Sequence, residues 1–397
     1  MNEQMSPVRL QERITSLDVL RGISLIGIFI VNMISFHSPM FYYNPYEWWE
    51  KADATWYMMI DIFVQASFYP IFAMMFGYGL MIMWQRAQQR GVSFQKIGIR
   101  RMLALLVIGI IHAFFIWSGD ILILYALIGF LLLLMLKWSG KTLMIVGLSI
   151  FLLPQLLLSA LMVLLSLLDP KMAAFWKDFE SIQHSIARYS NGTFWEVMQQ
   201  RWADWTTANS PETAIFILLM ILPMMMIGAG ASKLRWLQTA QENKNKWLII
   251  LFISLPLGIF IKALPYMIKP NISYTFIQDM VGGPILGFAY VAIIVLLMNI
   301  PVMVKVMRPF AKAGRMSLTV YITQSIIATL IFYSYGLGLY GQVTLRQGTL
   351  LAIGIYVLQL IFAELWFTKY KYGPLEKLLR LMTYGKTAVV QSSKNNK

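Results

Sequence analysis

The chain is a succession of long apolar runs, separated by short stretches that are polar, basic, or aromatic and acidic. A helix that crosses a bilayer needs about 20 mostly apolar residues. Ten runs approach that pattern, at 18–37, 57–84, 102–118, 121–138, 143–168, 212–231, 247–267, 280–300, 314–334 and 348–368. Within them the residues are apolar nearly all round a helix, so periodicity marks no single buried face. Only Ser118, Gly119 and Asp120 stand between the third and fourth runs, which predicts a tight hairpin or a broken helix pair. The pattern predicts an all-α fold, a polytopic membrane helix bundle of about ten spans. It reads as one domain over 1–386, with an outer loop at 169–211 and a disordered tail at 387–397.

Composition removes the soluble alternatives. Hydrophobic residues make up 58% and charged residues 13%, against roughly 25% charged in a typical soluble protein. Cysteine is absent, which excludes a disulfide scaffold, a thiolate zinc site and a cysteine nucleophile. With three histidines and no ligand spacing, no metal site is expected. The net charge of +15 raises the question of nucleic acid. Placement answers it. With the N-terminus inside, the inner segments hold 24 basic residues against Glu3, Glu12, Glu242 and Glu376. The positive-inside rule then makes both termini cytoplasmic, and no nucleic-acid partner is expected. The first run is too long for a cleaved signal peptide, and no small-x-small site follows it.

The informative side chains are the ionisable and polar ones inside the runs, because each is costly in lipid unless paired or wetted. Asp18 and Arg21 share a helical face at the start of the first run, with Ser16 as the expected N-cap. They form an anchoring ion pair, or Arg21 holds an anionic group. Asn32 lies deeper, and His37 is expected at the interface. Asp61 and Gln65 follow one turn apart, before Pro70, which is expected to kink the second run. His112 is the leading general-base candidate. Asp120, eight residues on, is about 12 Å away along a straight helix, out of contact. Tyr321 and Gln324 lie mid-run, Arg315 ends the ninth run on the inside, and Glu364 lies in the last. The outer loop carries Trp176, Trp195, Trp202 and Trp205 and reads as a helix pair on the lipid headgroups or as a lid.

Several stretches together carry a resemblance. Ile14-Thr-Ser-Leu-Asp-Val-Leu-Arg-Gly-Ile resembles the Leu-Asp-x-Leu-Arg-Gly opening of membrane acyltransferases. It is joined by Ser67-Phe-Tyr-Pro-Ile-Phe, Phe76-Gly-Tyr-Gly, Gly109-Ile-Ile-His-Ala, Gly119-Asp-Ile-Leu, Gly314-Arg-Met-Ser-Leu and Tyr372-Gly-Pro-Leu-Glu. In this order, from about Leu17 to Thr383, the set resembles the bacterial YeiB family, a domain of unknown function numbered 418. The resemblance implies a bacterial plasma membrane protein. It also implies kinship with the type-3 sugar O-acyltransferases and the lysosomal heparan glucosaminide N-acetyltransferase, which pass an acyl group from cytosolic acyl-CoA to a glycan. Where those relatives place a catalytic histidine about three turns after the arginine, this chain has Asn32, so His112 would take that role.

The expected function is thus an acyltransferase using acyl-CoA, acetyl-CoA above all, with an extracytoplasmic glycan or envelope acceptor. His112, Asp120 and Asp61 are the catalytic candidates. Arg21, Asp18, Arg315 and Arg101 would hold the donor, with Arg100 as an alternate for Arg101. Asn32, Gln65, Gln324 and Tyr321 would bind substrate. Membrane lipids are partners, and an oligomer is compatible with the pattern. The alternative is a secondary transporter coupled to protons along Asp61, His112 and Glu364, although no matching pair of broken spans supports an inverted repeat.

Overall fold

The computed structural model describes residues 13–385, so the tail expected at 387–397 lies outside the described residues. Among those described, every regular element is a helix. α1 (Thr15–His37) begins behind Ile14, with no side-chain cap, so Ser16 lies inside the first turn and does not cap it. A single turn, α2 (Pro45–Trp48), leads to α3 (Lys51–Phe63) and α4 (Phe68–Gln89). These two divide the second apolar run at 64–67, where Ala66 takes a φ of 60°. Pro70 sits in the first turn of α4, where no backbone N–H is required. The expected kink at Pro70 is therefore a break just before it. The Tyr290 hydroxyl donates to the Phe63 carbonyl at 2.7 Å, partnering a carbonyl at that break.

α5 (Phe94–Phe115) and α6 (Leu122–Met135) pack as a hairpin, followed by α7 (Gly140–Leu168). The long loop folds into α8 (Phe179–Asn191) and α9 (Phe194–Ala208). Then come α10 (Pro211–Lys233), α11 (Lys244–Met267) and α12 (Ile272–Ile277), which runs through a π turn (Gln278–Gly282) into α13 (Gly283–Leu297). After the short α14 (Pro301–Val306), α15 (Arg308–Arg315) bends by 84° onto α16 (Ser317–Phe332). α17 (Leu345–Lys369) and the amphipathic α18 (Pro374–Tyr384) complete the described chain.

All ten apolar runs are helical, as the sequence predicts. Among the described residues eight spans are long and apolar enough to cross a membrane, or nine if the bent α15–α16 pair counts as one. α6 is shorter, with 14 residues, and runs back from the α5–α6 turn to set the Leu136 carbonyl against Lys233 at the end of α10. α1, α4, α10 and α13 form the buried centre, whereas α7, α11 and α17 turn apolar side chains such as Leu157, Phe252 and Leu358 outward. Water cannot drive helices together in lipid, so small residues that admit close backbone approach become the means of packing. At the centre, Gly77 of α4 faces the Met225 carbonyl of α10, and Gly228 of α10 faces the Met74 carbonyl of α4. Any Cβ at either glycine would overlap that carbonyl.

α8 and α9 are seated on the end of the bundle opposite Arg13 and α18. Arg201 is fully buried and donates to the Phe114 carbonyl at 3.0 Å and to the Tyr335 hydroxyl at 3.3 Å. Asp204 accepts from Tyr42 at 2.7 Å, Tyr189 at 2.6 Å and Gln200 at 2.8 Å. Trp202 and Trp205 lie on Phe114, and Trp176, Trp195 and Trp202 remain exposed.

Candidate functional site

Where α1 begins, α4 and α5 face the α15–α16 bend and α18 across a cavity of about 220 Å³. Arg13, Arg21, Arg101, Arg315 and Arg380 line it, with Asp18 and Glu376 as its only carboxylates among the described residues. All four expected donor-binding residues (Asp18, Arg21, Arg101 and Arg315) are therefore brought together. Arg100 is exposed and does not line the cavity.

Both carboxylates are already engaged. Asp18 lies 3.4 Å from Arg21 and 3.5 Å from Arg13. Glu376 accepts from the Leu318 and Thr319 amides at 2.7 and 3.1 Å and from the Thr319 hydroxyl at 2.7 Å, capping α16 after the bend. Burial raises the Glu376 carboxyl above its ordinary value, against those three bonds. Arg21 also donates to the Met75 carbonyl at 3.2 Å. Arg315 lies over the Phe367 ring and Arg380 over the Tyr372 ring, each at 4.0 Å. Arg315 Nε and Arg380 Nη1 are buried without a hydrogen-bond partner. Burial also lowers the Arg380 guanidinium from its usual value. Five guanidinium groups against two occupied carboxylates make a pocket for a multiply charged anion, since planar donors suit phosphate oxygens.

Deeper along α1, α4 and α16 lies a second cavity, of about 130 Å³. It is lined by Asn32, Gln65, Tyr69 and Tyr321, the backbone of the α3–α4 break, and Gly119. No charged side chain lines it. Gln324, expected beside these residues, is instead buried against Gln359 at 3.1 Å.

His112 and Asp120 meet behind the wall of this cavity that Gly119, Ile121 and Tyr321 form, and neither lines it. Their Nδ1–Oδ2 distance is 3.0 Å. The straight helix assumed from their spacing ends at Phe115, and the chain turns back to bring the carboxylate onto the ring. Asp120 Oδ1 also accepts from the Leu122 and Ile123 amides at 2.8 and 3.1 Å, at the start of α6. A carboxylate accepting from Nδ1–H leaves Nε2 with the lone pair. That Nε2 is buried with no partner. Tyr321 joins pair and cavity: its ring centroid is 5.0 Å from that of His112, and its hydroxyl lies 3.3 Å from both the Gly119 carbonyl and the Ile121 amide.

Asp61 belongs elsewhere. It is buried and accepts from Tyr266 at 2.8 Å and Gln278 at 2.7 Å, beside a Lys262–Asp279 pair at 3.0 Å. Lys262, Asp279 and Gln278 were not among the expected residues. Lys262 inside the apolar run of α11 was the available signal, because an ammonium there needs a partner. His37, at the end of α1, is buried within the protein, 1% exposed, between Trp49 and Phe332, and neither ring nitrogen has a partner. Glu364 pairs with Lys312, so Asp61, His112 and Glu364 sit in three separate networks. Arg13 and Arg380 of the basic cavity were also missed. Arg380 had a signal in the charged face of the segment after Tyr372-Gly-Pro.

Residues 231–386 match the family model described as protein of unknown function DUF418. The chain is 33% identical over 397 residues to uncharacterized protein YxaH of Bacillus subtilis (strain 168), covering 96% of each. It is 28% identical to an uncharacterized 39.9 kDa protein in the amylase 3' region of Bacillus acidopullulyticus, over 96% of this chain and 97% of that one. To uncharacterized protein YeiB of Escherichia coli (strain K12) it is 24% identical, over 94% and 96%. With eight candidate membrane spans among its described residues and near end-to-end similarity to these relatives, the chain is a multi-pass membrane protein of the DUF418 family that includes YxaH and YeiB.

Proposed function

We propose that the protein is a membrane acyltransferase. In this reading it lies in a bacterial plasma membrane with both termini cytoplasmic, and moves an acyl group from a CoA thioester to an acceptor hydroxyl or amine from the other side. The observation that supports it most is the grouping of Arg21, Arg101 and Arg315 in one cavity. The same helices that line it, α1, α4 and α16, also line the uncharged cavity beside His112 and Asp120. The arginines bind the phosphates of the donor. Asp120 fixes the imidazole by accepting from Nδ1–H, and His112 Nε2 takes the proton of the acceptor as its oxygen or nitrogen bonds to the thioester carbon. The C–S bond breaks, and the sulfur leaves with the proton from Nε2. Asn32, Gln65 and Tyr321 offer hydrogen bonds to the uncharged reacting groups.

The test follows label from acetyl-CoA in inside-out vesicles, wild type beside His112→Ala, into lipid, glycan and protein fractions. The reading expects transfer in the wild type only, and stabilisation of both forms by CoA. Transfer that survives in His112→Ala removes His112 from the chemistry. No transfer and no stabilisation by CoA remove the acyltransferase. The second reading, a proton-coupled transporter, draws on the buried Asp61–Lys262–Asp279 cluster beside the π turn.

A further inference from the structure

The two cavities lie on one line. On α4 the deepest residue of the basic cavity is Phe72, and the uncharged cavity begins at Tyr69. On α16 the corresponding residues are Ser317 and Tyr321, and on α1 they are Arg21 and Gly27. At 1.5 Å of rise per residue, the partition between them is about 5–9 Å thick. Tyr125 of α6 stands in it. Its ring lies against Phe72 and Phe76, with centroids 5.9 and 5.5 Å away, and both residues line the basic cavity. Its hydroxyl donates to the carbonyl of Tyr69, a lining residue of the uncharged cavity, at 3.0 Å. Tyr125 itself is 1% exposed.

We infer that the two cavities are compartments of a single passage, closed in this structure by the Tyr125 ring. One hydrogen bond and two ring contacts hold that ring in place. α6, which carries it, is a helix of only 14 residues. The passage is independent of what travels through it. It gives either an acyl thioester or a transported solute a route from the arginine cavity to the middle of the bundle.

The chain has no cysteine, so single cysteines report access without background. Asn32→Cys marks the uncharged cavity and Ser317→Cys the basic one. The probe is the membrane-impermeant anion 2-sulfonatoethyl methanethiosulfonate, added to the side of reconstituted vesicles from which Ser317→Cys reacts. Labelling through a closed passage scales with its open fraction. Minor states hold about 0.1–10% of a population, so removing the barrier is expected to raise the Asn32→Cys rate about ten- to a thousandfold. That rise is expected with Tyr125→Ala, and a smaller one with Tyr125→Leu, which retains more apolar volume should Tyr125→Ala fail to fold. Labelling of Ser317→Cys in the same backgrounds confirms the fold. An Asn32→Cys rate unchanged by both substitutions overturns the inference. So does an Asn32→Cys rate equal to that of Ser317→Cys with Tyr125 intact.

Discussion

Replacing Asp120 separates its structural work from its chemical work, because its two oxygens do different things. Oδ1 caps α6 through the Leu122 and Ile123 amides, whereas Oδ2 faces His112 Nδ1 at 3.0 Å and is only the longer acceptor of the Leu122 amide, at 3.2 Å. Asp120→Ala loses both. The missing cap costs about 1 kcal/mol, and a buried imidazole N–H left without an acceptor costs about 1–3 kcal/mol. The expected destabilisation is therefore about 2–4 kcal/mol. Asp120→Asn keeps one oxygen, which the two backbone amides claim, and turns its NH₂ toward His112. The imidazole must then accept at Nδ1 and carry its proton on Nε2. Nε2 has no partner in either tautomer, as an acceptor before the change and as a donor after it, while the α6 cap and the contact to Nδ1 survive, so the expected stability loss is about 1 kcal/mol and below that of Asp120→Ala. The base is nevertheless gone, and transfer should fall about 10²–10⁴-fold. Unfolding by SDS in mixed micelles measures the first quantity and label transfer from acetyl-CoA the second. Nitrogen NMR of labelled histidine reads the tautomer directly, with only His37, His112 and His184 to resolve. The reasoning is refuted if Asp120→Asn keeps its proton on Nδ1, or if it costs as much stability as Asp120→Ala.

Three further outcomes are expected. Arg101→Gln removes one charged donor from the basic cavity, about 1.5–3 kcal/mol, so CoA should bind about 10–100-fold more weakly while adenosine is unaffected; thermal shifts with the two ligands check this. Lys262→Met strands Asp279 and Asp61 without a cation and should cost about 3–5 kcal/mol in SDS unfolding, part of which Lys262→Met/Asp279→Asn recovers. Glu376 titrates above its ordinary 4.5 in the native state because of burial. As pH rises from that value through the native one, the folded state holds the proton that the unfolded state has released. Its contribution to stability therefore declines with pH across this window, and Glu376→Gln should remove that slope from pH-dependent melting.

Hydropathy made the helices legible because in lipid every backbone group must be satisfied within its own segment. It could not show that the run at 121–138 keeps only 14 helical residues, in α6. The basic cavity was largely legible, since Asp18, Arg21, Arg101 and Arg315 had no reason to stand at run ends except pairing or an anion. The His112–Asp120 contact was hidden by the assumption of a straight helix, although Gly119 marked the turn. Asp61 was read correctly as a buried carboxylate and assigned to the wrong neighbourhood. Besides Tyr46, its partners Tyr266 and Gln278 come from helices more than 200 residues away in the chain, a distance that local pattern does not bridge. Gln324 failed for the same reason, its amide being claimed by Gln359.

The Gly77–Met225 and Gly228–Met74 contacts work as a keyed joint. Each notch on one helix receives a carbonyl of the other, so sliding α4 along α10 by one residue would drive side chains into backbone. Nothing flexible lies between them to absorb such a shift. The two helices must therefore move as one rigid post in any conformational cycle. Whatever motion the protein makes has to be made around that post, by elements that meet it through side chains.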